Sequence, residues 1–174
     1  CIVAALVAPA LPQPGTYHAF ADQRGALGIP NFGDVASNAG FLIAGLAGLA
    51  IVLGGRARFE FSSERWPWIV FFAGLVLTAF GSAYYHLAPD NERLFWDRLP
   101  ITVALMALLS SQIVERIGVR VGVALLVPML VIGAATVVYW RATELAGAGN
   151  LMPYVILQGY TVLIMLWLAL ALPS

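Results

Sequence analysis

Long stretches without a formal charge, separated by short polar clusters, set the pattern of the chain. Residues 35–55, 66–89, 99–114, 121–140 and 145–174 contain no Asp, Glu or Arg. Most of these windows approach or exceed the ~20 residues that a helix needs to cross a ~30 Å hydrocarbon core. The pattern therefore predicts five membrane-spanning helices, the last narrowing to 150–172. The third window has only 16 residues, and Arg98 and Glu115 at its ends lengthen it by snorkelling to the interfaces. Residues 1–11 read as the last half of a further helix, ended by Pro9, Pro12 and Pro14. Helical periodicity adds little, because helices surrounded by lipid and by one another are apolar all round. The expected architecture is a single all-α membrane domain over 1–174, a polytopic helical bundle.

Composition strengthens that reading. The chain is 61% hydrophobic and 10% charged, with a mean hydropathy of +0.88, whereas soluble domains carry about 25% charged residues. The formal net charge is zero, which gives no reason to expect a nucleic-acid partner, and no protein partner is inferable. The one cysteine, Cys1, cannot form an internal disulfide. An N-terminal cysteine is compatible with a lipidated lipoprotein end, but the apolar residues after it fit a helix cut short better, and with no initiator methionine a fragment of a longer protein is expected. Arg56, Arg58, Arg65, Arg116 and Arg120 fall at one end of the expected bundle, with Arg24, Arg93, Arg98, Arg141 and most acids at the other. Arginine bias places the first end in the cytoplasm and the second outside, in what reads as a bacterial inner membrane.

The polar chemistry concentrates in "GSAYYHLAPDNERLFWDRLP", residues 81–100. Ser82 and His86 are four apart and share a helical face. Asp97 follows eleven residues later, at the expected start of the next helix, and a tight turn through Pro89 and Asp90 returns it to the depth of His86. An imidazole, a hydroxyl and a carboxylate together contain the parts of a metal hydrolase: a ligand, an oxyanion or water donor, and a proton acceptor. The plainer alternative is polar hydrogen bonding at a membrane interface, and spacing alone leaves both open.

The spelling "SAYYHLAPDNERLFWD" resembles the alkaline ceramidase family, which belongs to a wider group of seven-helix membrane hydrolases and receptors. "YHAFADQRGALGIPNFGDVASNAGFLIAGLAGL" is similar to the segment that opens its bacterial members, and the likeness extends over residues 17 to about 172. The resemblance implies a Zn2+-dependent amide hydrolase acting on ceramide-like lipids within the bilayer. It implies that His86 binds zinc while Ser82 and Asp97 flank the zinc-bound water. In the family, two more histidines come from an H-x-x-x-H motif in the last helix. The only other histidine here is His18, which reads as an interfacial side chain beside Tyr17 and Phe20, so two further ligands are expected beyond residue 174. Eukaryotic members also build a Ca2+ site before the first helix. Asp22, Asn31 and Asp34 are the candidate oxygens here, without the acid-rich spelling of that site.

Other polar and small residues carry structural expectations. Ser37 and Asn38 fit helix capping, and Gly40, Gly45 and Gly48 fit close helix approach. Trp66, Trp68, Trp96, Tyr139 and Trp140 fit an aromatic belt, Gln158 an interhelical hydrogen bond, and Pro128 and Pro153 kinks. Two function classes follow: a lipid amidase with Asp97 as base, and a non-catalytic lipid-binding receptor or sensor of the same architecture.

Overall fold

The computed structural model describes residues 8–19 and 23–172. Its elements are a short helix α1 (Phe32–Ser37) and then α2 (Ala39–Leu53), α3 (Arg65–Leu87), α4 (Asn91–Arg116), α5 (Val119–Leu145) and α6 (Met152–Ala171). Five helical stretches among the described residues are long and apolar enough to cross a membrane, with α1 and α2 together forming the first of them. The protein is an all-α, multi-pass membrane bundle.

Helices outrun the charge-free windows because charges at their ends are satisfied locally rather than expelled. The third span occupies Asn91–Arg116 instead of 99–114, and the fourth Val119–Leu145 instead of 121–140. Asp90, in extended conformation, caps α4 by accepting the Arg93 backbone N–H at 2.7 Å. The Arg93 guanidinium closes the same turn on the Ala88 carbonyl at 3.2 Å. Asp97 therefore lies well inside α4 rather than at its start. Most of the expected half-helix at 1–11 falls outside the described residues, and 8–11 are not helical.

Helix α4 is the hub, packed against α3, α5 and α6, and its apolar window is the most buried of the five. Small residues set how near its neighbours come. A Cβ at Gly74 of α3 would lie 2.9 Å from the Ala104 Cβ, so these two helices touch at backbone distance. Gly45 and Gly48 play the expected part between α2 and α3, against Val76 and Phe72, whereas Gly40 faces open space. Gln158 makes the expected interhelical bond, donating to the Thr102 hydroxyl at 2.9 Å. Pro153 sits in the first turn of α6, where its missing N–H costs nothing, so it starts that helix instead of kinking it. Ser37 and Asn38 cap no N-terminus: both side chains donate back to the Asp34 carbonyl, at 2.9 and 2.8 Å.

Candidate functional site

Ser82 and His86 lie on one face of α3, and the α3–α4 hairpin brings Asp97 back beside them. The Asp97 carboxyl is near the Ser82 hydroxyl and within electrostatic range of the His86 imidazole and the Arg98 guanidinium. Ser82 is buried, and His86 and Asp97 are half-buried. Asp97 Oδ1 is shielded from solvent and accepts no hydrogen bond among the described residues. A carboxylate oxygen in that state costs about 1–3 kcal/mol or more unless something donates to it, so the cluster has room in its chemistry for one further donor.

The close approach that assembles the cluster comes from a pairing that sequence reasoning missed. Pro100 lies inside α4 and has no N–H to give to the Trp96 carbonyl, four residues back. Gly81 of α3 packs against that same carbonyl, where any Cβ would overlap the oxygen. Ser82 and Asp97 are the next residues along each helix. A glycine on one helix of the hairpin and a proline on the other, at positions 81 and 100 in a "GS…DRLP" frame, were the available signal.

Inward from the cluster runs an apolar cleft of about 210 Å³ between α2, α3 and α4, lined by Phe41, Phe71, Leu75, Thr78, Ile101 and Ala104 among others. Thr78 is one helical turn below Ser82, and Ile101 one turn below Asp97, so the cleft begins a turn inward of the polar cluster, and Ser82, His86 and Asp97 do not themselves line it. A larger cavity, about 530 Å³, lies at the opposite end of the bundle around Phe61, Gly118 and Arg120 and includes none of the three residues.

Arg98 departs most from expectation. It does not snorkel: the residue is 4% exposed, with its guanidinium 4.3 Å from the Trp140 ring and 5.2 and 5.4 Å from those of Tyr154 and Tyr17. Its Nη2 donates to Gln13 Oε1 at 2.7 Å. Trp140, assigned to the aromatic belt by its position, is fully buried and forms a wall of this cage. Trp66, Trp96 and Tyr139 are exposed, as a belt requires.

His18 is also engaged. Its Nδ1 lies 2.9 Å from the Tyr85 hydroxyl and its Nε2 3.0 Å from Asn91 Oδ1, so both ring nitrogens are committed to the bundle. Of the candidate calcium oxygens, Asp22 lies outside the described residues, and Asn31 uses its amide nitrogen to hold the His86 carbonyl at 2.8 Å. Among the described residues no group of three or more His, Cys, Asp or Glu side chains is arranged to hold a metal ion. One imidazole and one carboxylate do not complete a catalytic zinc shell, which takes three protein ligands. Comparison of the chain with protein-family models, with curated proteins and with solved structures finds no match.

Proposed function

We propose that the protein is an intramembrane hydrolase of lipid amides, of the ceramide type, with the Ser82, His86 and Asp97 cluster as its working centre at the outer face of a bacterial inner membrane. The observation that carries the proposal is the Asp97 carboxylate, whose buried Oδ1 has no donor among the described residues while a hydroxyl and an imidazole stand beside it. That oxygen accepts a proton from a water molecule as the water oxygen bonds to the amide carbonyl carbon. Ser82 orients the water or donates to the developing oxyanion. Asp97 then returns the proton to the departing amine nitrogen as the C–N bond breaks, leaving a fatty acid and a free amine. The apolar cleft one turn inward supports a substrate with an acyl chain. Zinc, with His86 as one ligand and membership of a seven-helix ceramidase-like fold, rests on the resemblance of residues 81–100, and no step here is routed through it.

A non-catalytic lipid receptor of the same architecture is the second reading, supported by the apolar cleft, which suits a lipid chain whether or not the cluster reacts with it. The discriminating experiment uses the protein as its gene encodes it, in lipid nanodiscs, with a fluorescent N-acyl sphingoid base as probe. Release of fatty acid with turnover supports the hydrolase. Saturable binding of the intact probe without release refutes it and supports the receptor.

A further inference from the structure

Residues 11–18 contain almost no regular structure beyond a single turn at Gly15–His18, yet they are fastened to α3, to α4, to the end of α5 and to the α5–α6 connection. At the α5–α6 connection, Leu11 accepts from the Leu151 N–H at 2.7 Å and donates to Asn150 Oδ1 at 3.3 Å. Over the end of α5, the Gln13 N–H donates to Glu144 Oε1 at 3.1 Å. At α4, Gln13 Oε1 takes the Arg98 guanidinium, and Tyr17 lies over its face. Between α3 and α4, His18 joins Tyr85 to Asn91. Tyr85 precedes His86 directly, and Asn91 opens the helix that carries Asp97.

We infer that residues 11–18 are a strap that closes the aqueous mouth above Ser82, His86 and Asp97, latched by Gln13 on Arg98 and by His18 on Tyr85 and Asn91. The fastenings are few and polar. The strap buries no residue of its own fully, and its short turn contains none that is buried. A segment held mainly by hydrogen bonds and a few ring contacts, with no fully buried apolar side chain of its own, belongs to the low-stability end of a structure, where opening precedes global unfolding. The closed latch is also left incomplete: Arg98 Nη1 and Gln13 Nε2 are buried donors with no acceptor among the described residues. Two idle donors lower the cost of releasing the strap, because both regain water when it lifts. In the closed state, polar molecules are kept from the cluster, and the apolar cleft is the route that stays open to a lipid chain. The inference concerns access and holds whether the cluster hydrolyses its ligand or only binds it.

The test is the rate at which a charged, membrane-impermeant methanethiosulfonate modifies a reporter thiol, Ser82→Cys, in a Cys1→Ser background in nanodiscs. With the strap intact, modification should run at least 100-fold slower than at the exposed control Thr16→Cys. Adding Gln13→Ala and His18→Ala together should accelerate it at least tenfold, with circular dichroism that stays close to the parent's. Asn91→Ala, which removes a fastening point from the bundle side and leaves the strap sequence untouched, should give a smaller acceleration in the same direction. Equal rates with and without the latch substitutions overturn the inference, as does fast modification in the parent. Acceleration accompanied by loss of helical signal also counts against it, since the thiol would then be exposed by unfolding.

Discussion

Replacing Gly81 by alanine tests the contact that holds the two halves of the site together. An added Cβ points into the Trp96 carbonyl, a backbone atom that cannot rotate aside, so α3 and α4 must part locally. Overpacking of this kind costs about 1–3 kcal/mol. Alanine at a helix interior also returns up to about 1 kcal/mol relative to glycine, so the net loss is smaller than the wedge itself. Gly159→Ala supplies the reference: it lies within α6 and its Cβ would meet nothing within 4 Å. The propensity gain cancels between the two variants, and the difference isolates the wedge. Unfolding free energies from SDS titration in mild detergent should therefore separate Gly81→Ala from Gly159→Ala by about 1–3 kcal/mol, with Gly81→Ala the less stable. Parting the helices also draws Ser82 away from Asp97, so any hydrolytic rate should fall in Gly81→Ala and stay level in Gly159→Ala. Equal stability of the two variants would refute the reasoning, because the close approach at Trp96 would then carry no energetic weight.

Three further outcomes are expected. Arg98→Lys keeps the charge but loses the planar fork on Gln13 and the stacking in the cage of Trp140, Tyr154 and Tyr17, so the same titration should show a loss of about 1–3 kcal/mol; an unchanged value would mean that the cage holds nothing. Gln158→Leu removes one bond to Thr102, whose hydroxyl still donates to the Arg98 carbonyl at 2.8 Å, and should cost only about 0.6 kcal/mol, the average for polar bonds between membrane helices. The 174-residue chain should retain little zinc after dialysis against a weak chelator, measured by atomic emission, because a single imidazole and a carboxylate leave most of the shell to water. Stoichiometric zinc that His86→Ala abolishes would show a ligand set that the described residues do not reveal.

The spans and the hairpin were legible because both depend on local pattern: charge-free runs of membrane length, and a serine and histidine at helical spacing before a short turn. Helix ends were less legible, since Asp90 capping and the Arg93 closure extend α4 into a stretch dense with charges. Arg98 was misread for a related reason. An arginine near a span end normally reaches for water, and only tertiary structure reveals that Gln13, 85 residues earlier, and three rings from separate segments enclose it. His18 was read as interfacial from its aromatic neighbours, while its partners Tyr85 and Asn91 lie 67 and 73 residues away. The Gly81 and Pro100 pairing was within reach of the sequence, because a proline in a helix always orphans a carbonyl four residues back. What meets that carbonyl depends on the register of two helices, which neither sequence alone defines.

The central claim is that Asp97 is a proton acceptor at a working hydrolytic centre. The most direct measurement compares Asp97→Asn with the parent for release of fatty acid from an N-acyl sphingoid base, using the protein as its gene encodes it in nanodiscs. Asparagine preserves the shape and the contact with Ser82 but cannot take the proton. The account predicts a fall of about 10²- to 10⁴-fold in turnover, with probe binding and thermal midpoint close to the parent's. Turnover in Asp97→Asn equal to that of the parent would contradict it and leave the Ser82, His86 and Asp97 cluster as polar packing between two helices.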